Sequence, residues 1–346
     1  MGSFAVKWPR IVFFILLPFA VYSLWDYVET KRIASRIDAI ERRKEPLIVQ
    51  GPFPTGEARQ AERLYRAAAA LVVSPGVGSI ADRNALSKAA PNDPWTPEVL
   101  ALARALVAAN REAIDLVDRA ARLSFVGFLP GTSYNYFAGD LLTLRIVLER
   151  RAAVALHEGK GEEALISFYS EARLARALDS MTVLRSFFAP IPRFAGLSAA
   201  VAAAPRSSVR EALGPALADL DADDRLRTAL LLSRAKTLTA SSLGPRRHAA
   251  NPIVAHMIVT ELDTYEALLD AAGKPWPQRI HAVNAVDKWP ETYPFPNGGR
   301  ILRDFTKLTV DQVRRIRCAR LIVSTRPLDL IDPLTGQRLE PSQCHL

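Results

Sequence analysis

The chain contains few of the residues from which metal sites are built. It has 2 cysteines and 5 histidines in 346 residues. Zinc sites need His or Cys clustered at helical or knuckle spacing. The histidines instead stand far apart, with no HExxH context: His157, His248, His256, His281 and His345. We therefore expect no metal site.

Phosphate-binding and nucleophile motifs are also missing. Residues 75–79 (PGVGS) lack the third glycine, the lysine and the preceding strand that a phosphate-binding loop requires. No GxSxG elbow occurs, and neither cysteine stands in a catalytic signature. Acidic clusters at 162–163 and 221–224 fall where we expect helices to start, and the helix dipole accounts for carboxylates there. The sequence therefore points to no catalytic residue and no cofactor.

The composition predicts an all-α protein. Alternating runs of β-branched residues are nearly absent, while alanine, leucine and arginine, all strong helix formers, dominate the middle of the chain. The formal net charge is +9, which could indicate a nucleic acid, an anionic membrane surface or an acidic protein as partner. Acidic residues are interleaved with the basic ones almost everywhere, so we do not expect nucleic acid.

One apolar segment, Ile11–Trp25 (IVFFILLPFAVYSLW), predicts a transmembrane helix that binds the lipid bilayer. Its fifteen residues span about 22 Å as a helix, short of the roughly 30 Å hydrocarbon core. Flanking aromatic residues and Arg10 extend that reach. A cleaved signal peptide is the alternative, but the residues at 20–23 make poor cleavage sites. We favour an uncleaved signal-anchor followed by a polar helical stalk.

Proline and glycine divide the chain into four parts. We expect the anchor and stalk at 1–45, a linker at 46–56, a helical body at 57–323 and an irregular tail at 324–346. Within the body, Thr96 and the segment 205–208 are expected to cap helices. Glycines bound an aromatic loop at 127–139.

The segment 151–178 (RAAVALHEGKGEEALISFYSEARLARAL) resembles a tetratricopeptide-type helical hairpin, with Gly159 at the turn and small residues at Ala152, Ala155 and Ala164. It covers under a tenth of the chain, and no copy recurs at a 34-residue period. The tail segment 332–337 (DPLTGQ) is similar to one in uncharacterised bacterial single-pass, membrane-anchored helical proteins. These resemblances imply an irregular solenoid-like helical bundle at a bacterial inner membrane, with no activity attached.

The charges on the two sides of the apolar segment give conflicting indications of which side of the membrane the body occupies. Lys7 and Arg10 before the apolar segment favour an exported, periplasmic body, whereas the basic residues between 31 and 44 favour the opposite. We favour the exported body. Cys318 and Cys344 could then form a disulfide that ties down the tail, or could remain two separate thiols. The apolar residues of the tail and the turn chemistry of 332–336 predict that it is bound near the last helix.

Two aromatic groups are candidate partner-binding sites. Stacking on a peptide or glycan is one interpretation, and filling gaps in a helical core is the other. The residues are Tyr134, Asn135, Tyr136 and Phe137 in the first group, and Trp276, Trp289, Tyr293 and Phe295 in the second. We expect a membrane-anchored scaffold or accessory protein that acts through protein–protein contacts. The alternative is an enzyme with its site near 127–139 or 276–297.

Overall fold

A computed structural model describes residues 8–47, 56–73, 95–124, 134–179, 193–221, 252–286 and 297–344, together with 227, 230, 231, 234, 235 and 238. This part of the chain forms eleven α-helices and one short 3-10 helix. They are α1 (Trp8–Arg42), α2 (Gly56–Leu71), α3 (Pro97–Ala109), α4 (Arg111–Ala121), α5 (Tyr134–His157), α6 (Gly161–Asp179), α7 (Leu197–Ala203), α8 (Ser208–Leu220), α9 (Pro252–Ala272), α10 (Gln278–Val286), α11 (Asn297–Val323) and η1 (Pro341–Gln343).

The all-α class expected from composition is confirmed. Within the described ranges the only β pairing is an isolated antiparallel bridge between Ile331 and Arg338. None of the helices, searched over the same described residues, has both the length and the apolar character that crossing a bilayer requires.

Two of the predicted helix starts are confirmed by their caps. The side chain of Thr96 accepts a hydrogen bond from the backbone N–H of Val99 at 3.4 Å, ahead of α3. Ser207 accepts from Val209 N–H at 3.1 Å at the start of α8. In both cases a hydroxyl satisfies a backbone donor that the first helical turn leaves without a partner.

The apolar residues from Leu102 to Ala120 follow three-to-four spacing, which predicts one continuous helix, but Asn110 divides it into α3 and α4. The buried Asn110 amide donates to the C=O of Leu106 at 2.9 Å and to the C=O of Val73 at 3.1 Å. Its Oδ1 accepts from the N–H of Val73 at 2.7 Å. Asparagine competes with the backbone for hydrogen bonds. Here the Asn110 side chain binds Val73, in the segment that follows α2, and so holds that segment against the turn between α3 and α4.

The expected hairpin around Gly159 is present, formed by α5 and α6. Gly159 has a positive φ of 72°, as expected, and its N–H donates to the C=O of Leu156 at 3.0 Å. The N–H of Lys160 donates to the C=O of Ala155 at 2.8 Å. These two bonds make a Schellman motif, which ends α5 and turns the chain into α6.

Helix α6 lies between two apolar clusters and belongs to both. One cluster joins it to α2, α3, α4 and α5, and the other joins it to α5, α7, α8 and α11. Contact continues from α8 through α11, α10 and α9 to α1. The largest fully buried apolar side chains in the two clusters are Tyr65, Leu141, Leu144, Leu148, Leu165, Phe168, Leu174 and Phe194.

After α11 the chain turns back onto that helix. The backbone C=O of Asp332 accepts from Gly336 N–H at 2.8 Å, and its Oδ1 accepts from Leu334 N–H at 2.8 Å. From α11, Arg317 Nη1 donates to the C=O of Ile331 at 2.6 Å, and Arg314 Nε lies 3.2 Å from Asp332 Oδ2. The apolar residues and turn chemistry of the tail predict this contact with the last helix.

A disulfide closes the same region. Cys318 of α11 and Cys344 at the end of η1 are bonded, with their Cα atoms 5.2 Å apart. Leu339, between them in the chain, is 1% exposed. The tail is therefore packed on the body by apolar and ionic contacts as well as by the disulfide.

Candidate interaction site on helix α1

The first half of α1 carries large apolar side chains that the rest of the described structure leaves uncovered. Phe19 is 68% exposed, Leu24 64% and Leu16 58%. Consecutive helical residues are rotated by about 100°, so these side chains cover every side of the helix. A helix that is apolar all round is normally buried in a core or a membrane. The exposed residues are Leu16, Leu17, Phe19, Val21, Tyr22, Leu24, Trp25, Tyr27 and Val28. We call them the apolar collar.

The character of α1 changes at the C-terminal end of the collar. Aromatic residues with polar tips, Trp25 and Tyr27, come first. The ammonium of Lys31 then lies 5.6 Å from the ring centre of Tyr27, and the exposed Arg32 follows. An apolar, then aromatic, then basic order along a helix is typical of passage from hydrocarbon through headgroups to water.

Glu29 is buried where the collar meets the body. Its Oε1 lies 2.8 Å from His256 Nδ1 of α9, and it accepts from Arg32 Nη1 at 3.2 Å. Trp25 Nε1 donates to the same oxygen at 3.4 Å, and the ring of Trp25 meets that of His256 edge-on, with centres 6.3 Å apart. A buried carboxylate is stable only when it is paired and hydrogen-bonded, which these contacts provide.

Below Glu29, α1 packs against α9, and the two helices run in the same direction. Their contacts advance together, from Glu29 with His256 to Arg36 Nε, which lies 2.7 Å from Asp263 Oδ1. The interface is apolar and joins three isoleucines of α1 to α9 and to residue 238. Its buried members are Ile33, Ile37, Ile40, Leu238, Ala255, Ile258, Val259 and Leu262.

A charge network closes the far end of this helix pair. The fully buried Arg234 donates to Glu45 at 2.9 Å and to Glu266 of α9 at 2.7 Å. Arg43 donates to the same two carboxylates, at 2.9 and 2.7 Å. Burial alone would raise the pKa of Glu45, but the hydrogen bonds from Arg234 and Arg43 outweigh it and lower that pKa. The end of α1 is therefore fixed to α9 by charge as well as by apolar contact.

The N-terminal end of α9 is also apolar and exposed. Ile253 is 49% exposed, Met257 39% and Val254 38%. Because the two helices are parallel, this end of α9 lies beside the collar end of α1. The sequence alone did not indicate these residues. Three apolar residues at the start of a helix are common, and they gain meaning only because α9 packs beside α1.

Most of the candidate aromatic residues cannot be placed. Trp289, Tyr293 and Phe295 lie outside the described residues. Tyr134–Phe137 begin α5, so this part of the expected 127–139 loop is helical, and their side chains lie outside the description. A lone glycine such as Gly139 costs a helix only about 1 kcal/mol and does not end α5.

Trp276 is the one candidate aromatic side chain that the structure describes. It is half-buried, and the guanidinium of Arg279 lies 4.5 Å from its ring centre. The turn of the tail covers the adjacent Pro277, since a Cβ at Gly336 would come within 2.6 Å of Pro277 Cδ. Trp276 thus lies beside a packing contact between α10 and the tail.

A second polar group, also missed from sequence, lies between α5 and α6. Glu171 is fully buried, and neither of its carboxylate oxygens has a hydrogen-bond partner among the described residues. Burial, then the nearby charge of Glu149, raises the pKa of Glu171 well above its ordinary value, against the opposing effect of Arg145. Arg145 Nη1 lies 3.8 Å from Glu149 Oε1, which is too far for a strong hydrogen bond.

Among the described residues, no three His, Cys, Asp or Glu side chains cluster so that they could hold a metal ion. No family model, no curated protein and no solved structure matches the chain.

Proposed function

We propose that the protein is a membrane-anchored helical scaffold or accessory protein that acts through protein–protein contacts. The apolar collar is the observation that carries the proposal. Nine large apolar side chains cover all sides of α1, and each remains between 38% and 68% exposed in the described structure. Contiguous exposed apolar surface of this kind marks a membrane or protein interaction site. The aromatic residues at its C-terminal end and the basic residues after it favour the membrane.

The length of α1 supports the same proposal. The helix begins at Trp8, and Pro18 lies inside it, which membrane helices tolerate. Residues 8–24 precede the contact with His256 and extend about 26 Å at 1.5 Å per residue. That length approaches the roughly 30 Å of the hydrocarbon core.

Extraction of membranes with alkaline carbonate tests the anchor. We expect the full chain to stay in the membrane pellet. A triple variant, Phe19→Asp/Val21→Asp/Leu24→Asp, should be released, because an aspartate near the centre of a membrane helix costs roughly 2.5–3.5 kcal/mol. The matched control, Ile331→Asp/Leu334→Asp, changes exposed apolar residues of the tail and should remain in the pellet. Release of the parent chain would refute the anchor. A mature N-terminus near residue 23 or 24 would instead establish a cleaved signal peptide.

We further propose that the protein lies in a bacterial inner membrane with its body in the periplasm. The Cys318–Cys344 disulfide supports this side, since disulfides persist in oxidising compartments. Mass spectrometry of non-reduced peptides from intact cells, alkylated before lysis, should recover the linked pair. Two alkylated thiols would place the body on the cytoplasmic side.

The scaffold role is supported by the architecture of the body. The helices form a series of pairwise contacts that begins at α2, runs through the body and ends where α9 meets α1. The α5–α6 hairpin is one pair in this series. Such solenoid-like stacking typically presents extended binding surfaces. Affinity purification from detergent-solubilised membranes should recover a stoichiometric protein partner. Recovery of the chain alone, with turnover of a small molecule, would favour the enzyme alternative.

A further inference from the structure

We infer that the N-terminal end of α9 (Pro252–Met257) rests in the lipid headgroup region beside α1, and so fixes how the body stands on the bilayer. The inference deepens the proposed membrane function and rests on it. It concerns a second, independent segment of the chain, separated from α1 by more than 200 residues of sequence.

The start of α9 lies at the level where the collar of α1 ends. His256 contacts both Trp25 and Glu29. The two helices run in the same direction, so residues before His256 lie progressively closer to the collar. Ile253 precedes His256 by three residues, or about 4.5 Å along the helix. It is therefore level with the aromatic end of the collar, where Trp25 lies.

At that level the exposed surface of α9 is apolar. Ile253, Val254 and Met257 expose apolar side chains, whereas the opposite side of α9 is buried against α1. Beyond them α9 presents polar groups, among them Thr260 and Asp263. The exposed apolar side chains of α9 are therefore confined to its first two turns. On α1 the exposed apolar side chains likewise end at Val28.

Basic residues of α1 come next after the apolar and aromatic ones. Lys31 and Arg32 of α1 are exposed just below the aromatic residues, where lysine and arginine bind anionic headgroups. An occupant of this surface should therefore be apolar at the level of Ile253 and anionic at the level of Lys31. A phospholipid bilayer has that order. A second protein would need to reproduce it around both helices.

Spin labels on single cysteines test the inference in the full chain, reconstituted in vesicles of phosphatidylcholine and phosphatidylglycerol. The background is Cys318→Ser/Cys344→Ser, provided that it retains the helical circular dichroism of the parent. Labels go at Val21→Cys, Ile253→Cys, Met257→Cys and Lys274→Cys. Lys274, exposed beyond the other end of α9, lies about 32 Å from Ile253 along the helix and is the control in water.

The collision rates of each label with oxygen and with a water-soluble nickel complex report its depth. We expect position 21 to be deep, 253 to be in the headgroup region, 257 about 6 Å shallower than 253, and 274 in water. A deep label at 21 with water-exposed labels at 253 and 257 would overturn the inference and leave the anchor standing. A water-exposed label at 21 would overturn the anchor itself. Labels at 253 and 257 shielded from both reagents would indicate a protein cover, and would also overturn the inference.

Discussion

Arg317 Nε donates to Asp221 Oδ1 at 3.0 Å, and both side chains are buried. Asp221 caps the C-terminal end of α8, while Arg317 lies in α11. Arg320 of α11 donates to the other carboxylate oxygen. Burial raises the pKa of Asp221 even though both arginines favour its charged form. One carboxylate thus connects two helices that are distant in sequence.

Removing this carboxylate should strongly destabilise the body. In Asp221→Ala the buried guanidinium of Arg317 loses the Asp221 carboxylate, and breaking a buried ion pair typically costs about 3–5 kcal/mol. The control is Asp329→Ala, whose partner Arg338 lies 3.7 Å away at an exposed site. That change should stay within about 0.5 kcal/mol. Urea denaturation followed by circular dichroism measures both, and equal midpoints for the two variants would contradict the assigned role of Asp221.

Gly161 should tolerate no side chain, because α7 ends against it. A Cβ at this position would lie 2.5 Å from the Cβ of Ala203 and 3.1 Å from the backbone oxygen of Ala200. We expect Gly161→Ala to destabilise the protein by about 1–3 kcal/mol, as overpacking does. Gly139→Ala is the control. None of the described atoms lies within 4 Å of its added Cβ, and within α5 alanine should stabilise by roughly 0.5–1 kcal/mol. Thermal melting temperatures should therefore shift in opposite directions.

Local sequence patterns predicted much of this fold, because caps and turns depend on near neighbours. Ser207 and Thr96 cap helices with groups two or three residues away, and the turn at Gly159 needs only its own positive φ. Asn110 shows where such reasoning fails. Its side chain ends a helix by bonding to Val73, 37 residues earlier, and no periodic pattern records that contact.

The candidate site was less predictable for the same reason. The apolar segment of α1 is evident in the sequence. Its parallel packing on α9 joins Glu29 to His256 across 227 residues. His256 read alone is an ordinary isolated histidine. Asp221, expected at the start of a helix, instead ends α8 and pairs with α11. Long-range partners decided these roles.

Glu171 should make stability depend on pH. Its pKa is raised in the folded protein, so between the ordinary glutamate pKa and this raised value the folded state holds a proton that the unfolded state has released. Stability therefore falls as pH rises through that window, by at most about 1.4 kcal/mol per pH unit. Glu171→Gln removes the titration and should flatten the profile at pH values above the ordinary glutamate pKa.

The matched control for Glu171 is the same substitution at an exposed site. Glu41→Gln changes a glutamate on the surface of α1 and should leave the pH profile parallel to that of the parent. Urea midpoints at several pH values measure the difference between variants. A profile of Glu171→Gln that also runs parallel to the parent would show that Glu171 does not titrate as its burial requires.

The body should remain stable without the apolar collar but lose stability without the second half of α1. The expected domain boundary after residue 45 would leave a body without the second half of α1. In the structure, Ile33, Ile37 and Ile40 are 4%, 4% and 1% exposed against α9, and Glu45 neutralises the buried Arg234. Burying each isoleucine stabilises by about 1.5–3 kcal/mol. We therefore expect a chain lacking residues 1–28 to be monomeric, with a cooperative melt.

A chain lacking residues 1–45 should melt at a clearly lower temperature or associate through the uncovered Ile258 and Leu262. Size-exclusion chromatography with circular dichroism compares the two truncations. A third chain, lacking 1–28 and carrying Ile33→Asp/Ile37→Asp, separates loss of the apolar contact from loss of length, and should behave like the shorter chain. Equal melting temperatures for all three would mean that the second half of α1 does not support the body and acts as a stalk. A boundary after residue 45 would then be correct, because few contacts of consequence would cross it.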